Sequence, residues 1–377
     1  MPWTRDALVG WQQRVDPLAD AATEGMGPGA PQMLWEQVVE RAELGHQGAR
    51  VFIEQTRELP TWCDAASLER GRAIVVELGM EMALVLTAGG LIEGYAAPSL
   101  STPLIWTGRL KTDAARRLYE TGQMVHNARA PGGLAPDGLG RRTVLQVRVL
   151  HSVVRRHLES KGYVGPDGGR AIHQLDMAHT ATTFSHKGLE KLPHLGIHLT
   201  PAERFDVHHF FRVVNHLHGV DEALLPETPR ETAEFTDFLD AWRFDLDFAE
   251  GAELARAALR GLAGEPPFFL PEAALTTLAC LCMSAEQAER WGLQSDPWWS
   301  RLFAGLARGN RLATGTTRRF RSLGKLRARA SVALYGRTLV ARLGNDPARR
   351  AFGMVAGEEH TLGPGLERPS WMVRAKV

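Results

Sequence analysis

Apolar side chains recur every three or four positions along most of the chain, the spacing that stacks residues on one face of an α-helix. The pattern predicts a long amphipathic helix over 33–59, stopped at Pro60, and a second over 65–87 that ends at Ala88, Gly89 and Gly90. A loop over 94–106, with Pro98 and Pro103, leads to a helix over about 112–128. The segment APGGLAPDGLG (130–140) is a breaker, followed by a helix over 141–160, the turn GYVGPDGG and a helix over 171–185. Thr200 and Pro201 read as the N-cap and first residue of the next helix. Pro226 and Pro229 interrupt again, and helices resume near Ala233, Glu272, Ala285 and Trp298. No alternating β-branched run and no fixed-period repeat is present. The expectation is one all-α domain. A core over 59–300 carries an N-terminal helical segment (1–58) packed on it, with Arg-rich helices and an irregular tail (301–377) as part of the same body.

Composition changes this picture little. The 377 residues are 44% hydrophobic and 23% charged, ordinary values for a globular chain, so wholesale disorder is excluded. Cys63, Cys280 and Cys282 cannot make a disulfide framework, and neither CxxC nor the CxxCH of covalent haem attachment occurs. The start MPWTRDALVGWQQRVDPLAD lacks a basic stretch followed by an apolar run. The apolar region 80–92 is interrupted by Glu81, Gly89 and Gly90 and is too short to span a bilayer. The expectation is a cytoplasmic chain with no membrane partner. Oligomeric state is left open.

Net charge is +1, so no global field argues for nucleic acid. Residues 301–350, however, carry thirteen Arg/Lys against one acid, Asp346. The ordinary reading is a solvated basic face; the sharper one is a rim that attracts an anionic substrate or partner. Nucleic-acid binding through 308–329 is disfavoured, because Phe320 is the one aromatic residue there.

Candidate chemistry sits on three helices. In 141–160, Val144, Val147, His151, Val154 and Leu158 form one stripe. A lone histidine there is either a hydrogen-bonded core residue or a ligand. Arg148 and Arg155, three before and four after it, share its face and would suit an anionic group. In 112–128, Arg117 and Thr121 are i,i+4, with Glu120 beside them. In 171–185, Asp176, His179, Thr180 and Thr183 share a face.

The strings LPTWCDAASLERG (59–71), RRLYETGQMV (116–125), VRVLHSVVRRHL (147–158), IHQLDMAHTATTFS (172–185) and LHGVDEALLPET (217–228) resemble, in order, signatures of one family. It holds the latex clearing proteins (rubber oxygenases), the fungal MpaB oxygenase and bacterial biosynthetic enzymes. The resemblance implies an all-α fold around non-covalent haem b, with O₂ as co-substrate. It implies His151 as proximal iron ligand, Arg117 and Thr121 on the distal side, and Arg148, Arg155 and Thr183 in the haem pocket, with His179 beside Thr183. Two positions depart from the family. Glu120 stands where the rubber oxygenases have a lysine, and the loop YAAPSLSTPL offers no counterpart of their distal glutamate.

The functional expectation is a haem-dependent oxygenase that attacks a C=C or aromatic carbon of a soluble biosynthetic metabolite, carboxylate-bearing, indolic or prenylated. Glu120 would move protons beside Arg117 and Thr121. The rivals are a non-catalytic haem sensor or carrier, and a non-haem metal oxygenase on a helical bundle. Of fourteen histidines, nine lie between His173 and His218, yet only Glu43–His46 supplies the ExxH of a di-iron site and HExxH is absent.

Overall fold

The computed structural model describes residues 3–106, 114–319 and 321–344, and every regular element among them is helical. The main helices are α1 (Pro17–Ala22), α2 (Pro31–Glu43), α3 (Gln47–Gln55), α4 (Ala65–Glu77), α5 (Gly79–Gly94), α6 (Pro98–Trp106), α7 (Ala114–Ala128) and α8 (Leu139–Ser160). They continue with α9 (Gln174–Thr182), α10 (Pro201–Leu217), α11 (Pro229–Arg243), α12 (Ala249–Leu262), α13 (Glu272–Cys282), α14 (Pro297–Arg319) and α15 (Arg321–Leu343).

Three expected elements come out differently, each for a local reason. The run 33–59 is two helices, because Gly45 takes φ +89 and His46 Nδ1 then accepts from Ala49 N at 3.2 Å as the cap of α3. His46 is thereby a cap and not half of a metal-binding ExxH. The run 65–87 bends by 78° where α4 meets α5. There the Arg129 guanidinium lies where a Cβ on Gly79 would be and donates to Val75 O at 3.0 Å, capping α4. The proline-bearing stretch 94–106 is not wholly loop: α6 forms with Pro98 at its start, and Thr102 Oγ1 donates to Pro98 O at 2.6 Å. The expected start of the helix at 112 lies outside the described residues.

α8 is the spine of the molecule. It packs on α7 as a hairpin in which Asn127 Nδ2 donates to Thr143 Oγ1 at 3.0 Å. This contact sets the register that brings 117–121 level with the turn around His151. Arg141, buried at the start of α8, donates to Leu134 O at 2.9 and 2.7 Å and to Thr56 O at 3.0 Å, tying down the breaker segment. The N-terminal α1 lies on the opposite side of α8, and α10 lies along α4, where Asp206 takes Arg70 at 2.8 Å and Ser67 at 2.6 Å. Both α5 and the stretch after α9 contain a π-helical turn, Leu86–Gly90 and Thr183–Lys187, and the two turns pack on each other. Such turns are uncommon and concentrate at functional sites.

Among the described residues no single helix is long and apolar enough to cross a membrane. The bent α4–α5 pair reaches that length together, but its apolar residues Val75, Met82, Val85 and Ile92 are buried in the core.

Candidate functional site

His151 lies deep in the molecule, yet part of its surface stays accessible. Its Nδ1 is shut away with no hydrogen-bond partner among the described residues. A buried ring nitrogen without a partner is costly, so His151 is not the satisfied core histidine that its apolar stripe also allowed. Burial, His218, Arg117 and Arg155 together hold its pKa well below the ordinary histidine range. The imidazole is therefore neutral at physiological pH, with a lone pair free for a metal.

The second histidine at the site was not singled out in the sequence. His218, at the end of α10, has its ring centroid 4.8 Å from that of His151, with the planes 52° apart. Burial, Arg148 and Arg117 push its pKa down to about 4 against the opposing pull of Asp16, and its Nε2 also lacks a partner. The backbone beneath it is fixed from three sides. Gly219 takes φ +94 with Asp16 and Arg148 packed where a Cβ would stand. Arg148 Nη1 donates to Leu217 O at 3.3 Å, and Gln174 Nε2 donates to Gly219 O at 2.9 Å. The signal was the His-Gly pair in LHGVDEALLPET, where glycine follows a histidine at a helix end.

This arrangement corrects the reading of the two flanking arginines. Arg148 is held by Asp16 at 2.6 and 3.0 Å. Arg155, fully buried, pairs with Asp20, which also accepts from Ser152, and donates to Ile172 O at 3.1 Å. Asp16 and Asp20, four residues apart at the start of α1, are the anions these cations need. The pair therefore does not call for an external anion such as a propionate.

On α7, the Arg117 charge reaches His151, His218 and Tyr95. Tyr95 is buried, and burial pushes its phenol up to about 12 despite that arginine. The expected meeting of Arg117, Glu120 and Thr121 above one face does not occur. Glu120 is completely buried and accepts from Arg116 Nε at 3.3 Å, while its Oε2 has no hydrogen-bond partner. Thr121 Oγ1 donates to Arg117 O at 3.2 Å and lines an apolar cleft with Met82, Leu86, Val125 and Phe184. Neighbouring helical positions diverge by about 100°.

On α9, Asp176 and His179 share a face, since both reach α11. His179 is committed to Asp240 at 2.8 Å, and Asp240 takes Lys187 at 2.5 Å, which reaches Glu93 at 3.2 Å. Burial outweighs Asp240 and lowers the His179 pKa. Thr183 opens the π-helical turn and sits against Gly90 of the other one. Asp176 pairs with Arg243, also on α11, at 2.5 Å. Among the described residues, the grouping with metal-ligand character is Asp167, His173 and Asp176. Arg243 stands 3.3 Å from Asp167 and supplies the positive charge there. A non-haem iron site has no better donor set among these residues.

The model for the catalytic domain of the ER-bound oxygenase mpaB/B'/rubber oxygenase family matches residues 75–357, most of the chain. The chain belongs to this oxygenase family. The matched span holds every site residue described above except Asp16 and Asp20. A rubber oxygenase from Streptomyces sp. (strain K30) is 24% identical over 302 residues, which are 78% of this chain and 73% of that protein. The structure of latex clearing protein LCP in the closed state superposes with a TM-score of 0.64 at 19% identity, covering 89% of this chain and 96% of that one. That likeness is one of fold, and it bears out the all-α architecture. As a member of an oxygenase family the chain is an oxidoreductase.

Proposed function

We propose that the chain is a haem-b-dependent oxygenase that holds the cofactor non-covalently through His151 and acts with O₂ on a C=C or aromatic bond of a small molecule. The observation that carries this reading is the neutral, deeply placed His151 ring, with an unpartnered Nδ1 and part of its surface still accessible. That donor set fits a haem: one neutral imidazole as ligand and, nearby, the Arg117 cation to balance a propionate or a developing negative charge. When bound, haem of this ligation supplies activation of O₂.

The remaining work falls to the chain's own residues. His218, fixed by Arg148 and Gln174, restricts how the His151 ring can turn. Arg117 contributes positive charge on the site side of α7, and Tyr95 stays a neutral hydroxyl donor. The unpartnered Glu120 Oε2 is the carboxylate oxygen on α7 able to take up or return a proton. The cleft beside Thr121 offers an apolar wall for the hydrocarbon part of a substrate. The curated relative is named for rubber; for this chain we propose a smaller molecule, prenylated or indolic, with a carboxylate drawn by the basic 301–350 region.

The test is oxygen uptake by haem-replete protein with a reductant and a panel of prenylated and indolic carboxylic acids. Uptake that depends on one panel member supports the reading. A haem-replete protein that consumes no oxygen with any of them is a sensor or carrier. Once a substrate is found, Glu120→Gln is expected to keep haem and helicity while slowing turnover by about 10²-fold, the usual scale for losing a general acid–base group. Unchanged turnover in that variant removes Glu120 from the proton path.

A further inference from the structure

α14 is apolar on two adjoining faces. One face is used by the fold: Phe303 and Ala307 are buried, and Asn310 Nδ2 donates to Leu195 O at 2.8 Å. The other presents Trp298, Leu302 and Leu306 at i, i+4 and i+8, with 59%, 46% and 46% of each exposed. Gly305 and Gly309 lie in the same stripe, and a Cβ at either would meet nothing. The stripe is therefore open along its length. Arg301 and Arg308 border one side and are exposed, as is Arg311 farther round. From Pro297 to Gly344 the chain has eleven Arg/Lys and no Asp or Glu.

We infer that this outer face of α14 docks the protein on a bilayer surface rich in anionic phospholipid, with Trp298, Leu302 and Leu306 entering the headgroup–acyl boundary and the arginines meeting lipid phosphates. A tryptophan–leucine stripe edged by arginines is what an interfacial helix requires. The charge distribution separates this occupant from the alternatives. A second copy of the chain would bring Arg301 and Arg308 against their own counterparts, with no carboxylate on the segment to neutralise them. A nucleic acid would place three large apolar groups against phosphates. The sequence expectation of no membrane partner rested on the lack of a spanning segment, and a peripheral surface needs none. Docking there would also draw an oxygenase toward apolar molecules that partition into lipid.

The experiment is flotation of the full chain with vesicles of phosphatidylcholine alone and with about 30% phosphatidylglycerol, a composition that gives a negative surface potential. The expected result is binding to the anionic vesicles only, weakened at about 1 M salt, where the Debye length is about 3 Å. Leu302→Asp/Leu306→Asp is expected to cut binding by about ten-fold or more, with circular dichroism unchanged because both side chains are exposed. Arg301→Ala/Arg308→Ala is expected to cost about five-fold per cation removed. No flotation with anionic vesicles overturns the inference, as does undiminished flotation of the Leu302→Asp/Leu306→Asp variant. A dimer, seen by light scattering, that this variant dissolves assigns the stripe to a second copy instead.

Discussion

Asp20→Ala is expected to destabilise the protein by about 3–5 kcal/mol, the scale for leaving one partner of a buried ion pair uncompensated. Arg155 is completely buried, and its charge is met by Asp20 together with the Ile172 carbonyl. Removing the carboxylate leaves a guanidinium in the core and takes one of two partners from Ser152, which keeps Thr23. Arg155→Met alone orphans Asp20, whose side chain is 23% exposed and can turn to water, so it should cost less. The double variant Asp20→Ala/Arg155→Met should recover much of the loss, since an apolar replacement removes both desolvation penalties. Urea unfolding of apo and haem-loaded protein checks this. A mild effect of Asp20→Ala in the loaded protein alone would show that the haem supplies Arg155 with a second anion.

The second large effect is acid destabilisation of the apo-protein between about pH 6.5 and pH 4. His208 is buried, its Nε2 is 2.7 Å from Thr232 Oγ1, and burial with Arg212, His209 and His186 pushes its pKa down to about 4, against Glu231. His218 is pushed down to the same value. An unfolded histidine titrates near 6.5, so above that pH neither state binds the proton and nothing is lost. Below it the unfolded chain takes up protons that the native chain refuses, and stability falls until the native pKa is reached. Each group then forfeits about 3 kcal/mol by pH 4. Urea midpoints at pH 7, 6 and 5 should fall steadily, and His208→Gln should flatten the slope by roughly half of that two-site contribution. A midpoint constant from pH 7 to 5 would contradict the assignment of neutral buried histidines.

The helices were legible because their apolar stripes repeat over many turns, and Thr200 with Pro201 was read correctly as a start, completed by Glu203 as a capping box. The bend at Leu78 was not legible, since it depends on Arg129 arriving from α7 to occupy the space left by Gly79. The π-helical turns carry no periodic mark either. His151 was found because one polar residue interrupts an aliphatic stripe. The charges around it were misassigned because sequence shows the cations of α8 but not that Asp16 and Asp20 fold back on them. Likewise Arg116 and Arg117 are both within helical reach of Glu120, and only packing selects Arg116.

The central claim, haem held by His151, is tested most directly by the absorption spectrum and pyridine haemochrome of purified wild-type and His151→Ala protein. The wild type is expected to show a Soret band at about 400–420 nm and to release haem b on acidic extraction. His151→Ala is expected to lose most of that haem while its helical circular dichroism remains. Wild-type protein that takes up no haem, or a His151→Ala variant with full haem and an unchanged Soret band, would contradict the account.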